Sequence, residues 1–331
     1  MKKYRVGIVG ATGLVGREFI KVIEEYKLNI SLKLFASKKS EGKKLLFNNE
    51  EIEVKSLNAN SFDDLDFVLF SAGSKISRIY APLAAKNSIV IDNSSYFRMN
   101  PSCALIVPEI NFEDYKKFSK IIANPNCSTI QCVMVLKPLD DEFDLKKVVY
   151  STYQSVSGGG QKLVSDFSRC RNGLNPNILP YDLTKNLIPE IDEPSIVNYT
   201  KEEIKMIQET RKILNKPDLL VSSTCVRVPI IRTHAVTLYC EFKKEVDIDK
   251  VYEILSNTIG IKVLDDLDNH IYPLGEKALG NDLVYVGRIR KTFGNKNGLL
   301  LYVVSDNLRK GASSNAVQIL KRIIEDKEKN K

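Results

Sequence analysis

The stretch Tyr4-Arg5-Val6-Gly7-Ile8-Val9-Gly10-Ala11-Thr12-Gly13-Leu14-Val15-Gly16 decides the fold. Residues 4–9 carry the nearly continuous apolar pattern of a strand buried on both faces, and residues 17–26 place Phe19, Ile20 and Ile23 on one side of a helix. Between them the glycines are spaced G-x-x-G-x-x-G rather than G-x-G-x-x-G. The physics survives the shift. Glycines let the backbone approach a pyrophosphate, and a helix N-terminus offers free N–H donors and the positive end of a dipole. Strand, glycine turn and helix make the βα unit of a dinucleotide-binding domain.

Working outward, apolar runs of strand length follow at 31–36, 66–71, 88–91, 104–107 and 120–123, with helix-sized segments such as 75–86 between them. That alternation predicts a parallel sheet covered on both faces. Beyond about residue 128 the strands at 147–154, 221–229 and 234–242 are longer and more alternating. Residues 284–290 and 299–305 flank Gly294-Asn295-Lys296-Asn297-Gly298, which reads as a hairpin loop, so this half is expected to be antiparallel. Helical patterns at 161–171, 201–214 and 251–258 would cover one face of it. The last pattern, 311–327, spaces Val317, Leu320, Ile323 and Ile324 as a terminal packing helix. The fold class is therefore α/β followed by α+β, in two domains, as a length of 331 residues suggests.

Composition narrows the function. With 43% hydrophobic and 27% charged residues the chain reads as globular, and no apolar stretch approaches the roughly 18 residues of a membrane span. The start imitates a signal peptide, but Gly and Thr interrupt the apolar run and Arg17 and Glu18 follow it, so it reads as mature protein. The net charge of +8 comes from scattered lysines, clustered only at Lys327-Glu328-Lys329-Asn330-Lys331, a solvated surface rather than a nucleic-acid face. Six irregularly spaced cysteines make no disulfide framework and fit a reducing cytoplasm. With two histidines, His234 and His270, and no C-x-x-C pair, no metal site is expected.

After the second strand, an NAD-specific domain carries an acid for the ribose 2′-hydroxyl. Here Phe35-Ala36 runs into Ser37-Lys38-Lys39-Ser40 with no acid before Glu41, and hydroxyl and ammonium groups suit a 2′-phosphate, which favours NADP. Asn124-Pro125-Asn126-Cys127-Ser128-Thr129 places Cys127 after a strand and a Pro turn, at the start of an apolar helix. A helix N-terminus favours the thiolate, the nucleophilic form, so Cys127 is the best covalent catalyst of the chain. Cys132, Cys225 and Cys240 sit inside apolar patterns and read as inert core residues. His270, in a loop, reads as structural.

Gly10-Ala11-Thr12-Gly13, Ser71-Ala72-Gly73, Asp92-Asn93-Ser94-Ser95-Tyr96-Phe97-Arg98, Asn124 to Thr129, Tyr153-Gln154-Ser155-Val156-Ser157-Gly158, Glu202-Glu203-Ile204-Lys205, Arg227-Val228-Pro229 with His234, and Val304-Ser305-Asp306-Asn307-Leu308 follow one another through almost the whole chain. In this order they resemble the aspartate-β-semialdehyde dehydrogenases, most closely the bacterial branch. The resemblance implies NADPH-dependent reductive dephosphorylation of L-4-aspartyl phosphate to L-aspartate 4-semialdehyde, and its reverse, in the biosynthesis of lysine, threonine, methionine and diaminopimelate. It also implies a glyceraldehyde-3-phosphate dehydrogenase-like architecture. A Rossmann domain of residues 1–127 would be completed by a C-terminal helix of 310–331, with a catalytic and dimerisation domain of 128–309 between.

On the same grounds Cys127 is implied as nucleophile, His234 as acid-base group and Gln154 as the residue that positions the acyl group. Arg227 is implied as the carboxylate clamp, Glu202 as the ammonium partner, and Lys205 with Arg98 as phosphate ligands. Gly10, Thr12, Gly13, Leu14, Val15, Ser37, Lys39, Ser40, Ser71, Ala72, Ser157, Gly158 and Asn307 match NADP(H) contacts. Small-molecule substrates, a cytoplasmic homodimer, and no nucleic acid or membrane partner complete the expectation, with pairing of dimers into tetramers left open. Lys38-Lys39-Ser40 departs from the single Arg of many relatives, and Lys meets a phosphate only as a point charge. Two rivals stand beside this reading. N-acetyl-γ-glutamyl-phosphate reductases share the chemistry but typically carry Gly-Cys-Tyr-Pro-Thr at the nucleophile. A catalytically silent NADP-binding sensor would have no use for Cys127, Gln154, Arg227 and His234 together.

Overall fold

The structure is a computed structural model that describes residues 3–329. Met1, Lys2, Asn330 and Lys331 lie outside the described residues, and with them the outer ends of the expected N-terminal segment, terminal helix and basic tail. The chain divides into two compact units, one running up to Pro125 and resuming at Ala312, the other Asn126–Gly311. The division leaves Cys127 in the second unit, whereas the sequence places the boundary just after it.

The first unit is built on an eight-stranded sheet. Its strands are β1 (Tyr4–Val9), β2 (Ile30–Ala36), β3 (Lys44–Phe47), β4 (Glu50–Ser56), β5 (Phe67–Phe70), β6 (Ile89–Asp92), β7 (Ala104–Leu105) and β8 (Ile121–Ala123), in the order β3-β4-β2-β1-β5-β6-β8-β7. All neighbours are parallel except β3 and β4. That hairpin was not anticipated: its Lys/Glu-rich strands hide the apolar positions, and its turn is Asn48-Asn49, both left-handed at φ 50° and 65°. β1 is central because Val6, Ile8 and Val9 are apolar towards both helical layers and wholly buried. Gly16 packs the first helix, Leu14–Glu25, onto the turn; a Cβ there would come within 2.2 Å of the Gly10 carbonyl oxygen.

The chain returns to this unit as the helix Ser314–Lys329, whose Ala316, Val317, Ile319, Leu320 and Ile323 join the same core as β1, β2 and the first helix. Its entry is fastened by buried amides. Asn315 Nδ2 donates to the Ile106 carbonyl at 2.9 Å and to Asn124 Oδ1 at 2.7 Å. Asn124 Nδ2 in turn donates to Asn93 Oδ1 at 2.7 Å and to the Ala312 carbonyl at 3.1 Å.

The second unit holds a six-stranded sheet in the order β10-β9-β11-β14-β13-β12. Its strands are β9 (Leu145–Gln154), β10 (Leu220–Arg227), β11 (His234–Phe242), β12 (Ile261–Val263), β13 (Val284–Thr292) and β14 (Asn295–Ser305). The sheet is mixed rather than antiparallel: β9 pairs parallel with β10, and β12 with β13, because helix-bearing connections bring the chain back in the same direction. The expected loop at 294–298 is mostly strand. Thr292 pairs with Asn295, so the turn is only Phe293-Gly294, and Gly294 supplies the positive φ of 75°. Alternation decides the faces. Val148, Tyr150, Val236, Leu238, Leu301 and Val303 point into the core under the helices Cys127–Phe143 and Lys201–Leu214, while Val149, Tyr153, Thr237, Tyr239 and Leu300 face away from it.

The amide cluster generates a stability prediction. Asn315→Leu keeps the side chain's size but leaves the Ile106 carbonyl and Asn124 Oδ1 without these donors in a dry interior, which should cost about 1–3 kcal/mol. Denaturant unfolding followed by circular dichroism, suited to a chain without Trp, checks this; an unchanged midpoint would contradict it.

Candidate active site

Four strand ends of the second sheet meet at one edge. Gln154 closes β9 and lies in register with Arg227, which closes β10. His234 opens β11 beside them and pairs with Ser305, the last residue of β14, two residues before Asn307. Because β11 runs opposite to its neighbours, its beginning meets their ends. The helix Cys127–Phe143 lies across the same sheet and contributes its first residue.

That first residue is placed by Asn126. Its Oδ1 caps the helix by accepting the N–H groups of Ser128 and Thr129 at 2.9 and 3.2 Å. Its Nδ2 donates to Glu202 Oε1 at 2.8 Å and its backbone N–H to Glu209 Oε2 at 2.6 Å. Cys127 is the only one of the six cysteines that is not buried. Burial pushes the thiol of Cys132 well up, that of Cys225 up to about 12 and that of Cys240 up as well, which silences them as thiolates.

Arg227 is buried, with its Nη1 fixed on the Ser155 carbonyl at 2.7 Å. Burial lowers its pKa below the usual guanidinium range, opposed chiefly by the acidic groups of Glu202 and Cys127. His234 is fully buried. The Ser155 N–H donates to its Nδ1 at 3.0 Å, which leaves the proton of the neutral ring on Nε2, and Nε2 is buried with no partner. Burial, and then the Arg227 charge, hold the imidazole pKa down at about 3. The ring implied by resemblance as the acid-base group is therefore neutral here. A Cβ on Gly158 would come within 2.8 Å of Arg227 Nη1 and 3.1 Å of His234 Nε2, so both groups border one small space beside Gly158. Thr233, just before the histidine, has φ 79°, a strain on the order of 1–3 kcal/mol for a β-branched residue.

Gln154 is buried and donates from Nε2 to Thr152 Oγ1 at 3.3 Å. Glu202 and Lys205 share a face of the helix Lys201–Leu214, with Lys205 Nζ 3.1 Å from Glu202 Oε2 and 2.5 Å from Asp192 Oδ2. Ser157 and Asn307 are also in this unit, joined by a bond from Asn307 Nδ2 to Ser157 Oγ at 3.0 Å. Cys127, Gln154, Ser157, Gly158, Glu202, Lys205, Arg227, His234 and Asn307 thus belong to one unit. Asn126, Ser155, Asp192 and Glu209 were not singled out. Two of them left a trace in the sequence: Asn126 is a good N-cap residue, and Glu209 lies two turns after Glu202 on the face that carries Met206 and Thr210.

The remaining candidates lie in the first unit. Arg98 Nε donates to the Asn124 carbonyl at 2.9 Å and Nη2 to the Asn93 carbonyl at 3.0 Å. Gly10 has φ 88°, and a Cβ on it would strike the Ser71 backbone at 2.9 Å. Gly13 differs: a Cβ there would meet only the Gly10 oxygen, at 3.3 Å. The helix it begins has no side-chain cap and no acid in its first turn. A bare backbone before an uncapped helix N-terminus suits a pyrophosphate. Thr12 Oγ1 lies 3.4 Å from Ser40 Oγ, which brings the turn Lys38–Ser40, with Ser37 before it, against the glycine turn. Ser71 Oγ donates to the Val9 carbonyl at 3.2 Å, and Leu14 and Val15 open the helix. Ala72 follows Ser71 beyond β5.

Comparison with known proteins agrees with both units. Residues 5–118 match the family profile for the semialdehyde dehydrogenase NAD binding domain, and residues 136–310 that for the semialdehyde dehydrogenase dimerisation domain. The aspartate-semialdehyde dehydrogenase of Aquifex aeolicus is 47% identical over 98% of each chain, and that of Campylobacter jejuni 45% identical over 99% of each. The crystal structure of aspartate semialdehyde dehydrogenase II from Vibrio cholerae complexed with ASA superposes with a TM-score of 0.94 at 38% identity, covering 98% of this chain and 99% of that one. Likeness at this level over the full length, in sequence and in fold, means that the chain belongs to the aspartate-semialdehyde dehydrogenase family.

Proposed function

We propose that the chain reduces L-4-aspartyl phosphate to L-aspartate 4-semialdehyde with NADPH, and runs the reverse, through a thioester on Cys127. The observation that carries this reading is the single unburied thiol, at a capped helix start in the same unit as Arg227, His234 and Gln154. The Cys127 thiolate attacks the acyl carbon and phosphate leaves with the bonding pair, giving the thioester. Hydride addition gives the alkoxide of a thiohemiacetal, whose collapse releases the aldehyde and restores the thiolate. NADPH, when bound, supplies the hydride.

His234 serves through Nε2–H, donating to the acyl oxygen as it gains negative charge. A neutral ring suits this, since its proton is already on the unpartnered nitrogen. Arg227 receives the α-carboxylate, oriented by its anchor on the Ser155 carbonyl. Gln154 positions the acyl group. Glu202 receives the ammonium, and Lys205 with Arg98 the phosphate.

For the cofactor, Gly10, Thr12, Gly13, Leu14 and Val15 hold the pyrophosphate, and Ser37, Lys39 and Ser40 the 2′-phosphate, which makes NADP the preferred dinucleotide. Ser71, Ala72, Ser157, Gly158 and Asn307 complete its contacts. In this reading the unit that runs up to Pro125 and resumes at Ala312 forms the NADP domain, and Asn126–Gly311 the catalytic and dimerisation domain. The enzyme works in the cytoplasm, within lysine, threonine, methionine and diaminopimelate synthesis. The outward face of the second sheet, with Val149, Tyr153, Tyr239 and Leu300, pairs two copies into a homodimer.

Phosphate-dependent NADP reduction with L-aspartate semialdehyde tests the reaction; activity only with N-acetylglutamate semialdehyde would overturn it. Cys127→Ala should abolish turnover while NADP affinity is kept, and a variant with full kcat would remove the covalent step. Gly158→Ala fills the space between Arg227 and His234 and should lower kcat/KM at least about 100-fold. Wild-type kinetics there would mean that the substrate does not use that space.

The histidine also sets a pH dependence. An unfolded chain protonates His234 below about pH 6.5, whereas the folded ring stays neutral to about 3. The fold therefore loses stability as pH falls through that window, by about 2 kcal/mol at pH 5. His234→Gln should be less sensitive to acid in unfolding experiments by that amount, and equal sensitivity would contradict the buried neutral ring.

A further inference from the structure

Behind His234 lies an assembly whose hold on the imidazole the scheme above does not use. Thr233 stays at φ 79° because two neighbours hold it. Its N–H donates to Asn307 Oδ1 at 2.9 Å. Its hydroxyl occupies room that only a glycine leaves, since a Cβ on Gly275 would come within 2.4 Å of Thr233 Oγ1. Asn307 is buried, and the Ser155 hydroxyl donates to the same Oδ1 at 3.2 Å. Ser155 is the residue whose N–H covers His234 Nδ1. One side-chain carbonyl therefore reaches the imidazole by two routes, along the chain through Thr233 and across space through Ser155.

We infer that Asn307 and Thr233 are positioning residues for His234. Together they fix the ring so that Nε2 stays on the space it shares with Arg227 beside Gly158. The inference rests on the proposed role of His234, and it gives Asn307 a task other than the cofactor contact implied by resemblance. A donor to a developing oxyanion must hold its place to within a few tenths of an ångström, which a strained turn pinned at its own N–H achieves better than a relaxed one.

The test is a pair of double-mutant cycles: Asn307→Ala and Thr233→Gly, each alone and combined with His234→Ala, assayed with L-aspartate semialdehyde, phosphate and NADP. Glycine adopts the φ of Thr233 without strain, so the second cycle remains informative if Asn307→Ala fails to fold. At saturating NADP each single variant should lower kcat about 10- to 100-fold, Thr233→Gly with KM for NADP within about twofold of wild type, and neither should lower the residual rate of His234→Ala further. Equal losses in both backgrounds, or a raised KM for NADP at unchanged kcat, would overturn the inference. Wild-type kcat in His234→Ala alone would instead overturn the role of His234, and this inference with it.

Discussion

The second unit depends on how Asn126 spends its polar groups. Its side-chain carbonyl caps the helix that begins with Cys127, its amide is held by Glu202, and its backbone N–H is held by Glu209. The cap alone would order the first turn. The two carboxylates, both on the helix Lys201–Leu214, go further by fixing that turn against a second element. Glu203, between them in sequence, closes the capping box of its own helix with Thr200 and accepts the Cys225 N–H of β10. Three buried carboxylates on one helix are costly unless each is bonded, and each has such a partner here. The helix thereby links the cap of the helix that begins with Cys127 to the strand that ends in Arg227.

Burial sorts the ionisable groups that share this unit. The thiols in the sheet and inner helix positions are pushed up, whereas Cys127 is the cysteine left unburied, as the proposed thioester requires. The same dryness keeps His234 neutral, the form in which the proposed scheme uses it as a donor. Arg227 adds to that effect, so the residue proposed to receive the substrate carboxylate also tunes the histidine beside it. A bound carboxylate would offset the guanidinium charge and raise the imidazole pKa, which couples substrate binding to the proton that the reaction needs.

Much of this was legible in the sequence where the determinant is local. The first strand and glycine turn, the helix Lys201–Leu214 and the placement of Cys127 at a helix start follow from residues within a turn of one another. The β3–β4 hairpin was not legible, because charged side chains on its exposed face mask the alternation of Leu45, Phe47, Ile52 and Val54. The direction of β10 against β9 is set by the 65 residues between them rather than by either strand. The asparagines at 295 and 297 suggested a longer loop than the two-residue turn. The environment of His234 depends on Ser155, which precedes it by 79 positions, and on Asn307 far beyond it, so its neutrality is a tertiary property.

The central claim is that the acyl group is carried by Cys127. It is tested most directly by mixing enzyme with L-aspartate semialdehyde and NADP in the absence of phosphate, quenching in acid and mapping the peptides by mass spectrometry. The account predicts a burst of NADPH no larger than the enzyme concentration, with an aspartyl group on the peptide containing Cys127 that is discharged when phosphate is added. A burst with no acylated Cys127, or with the aspartyl group on another residue, would contradict it.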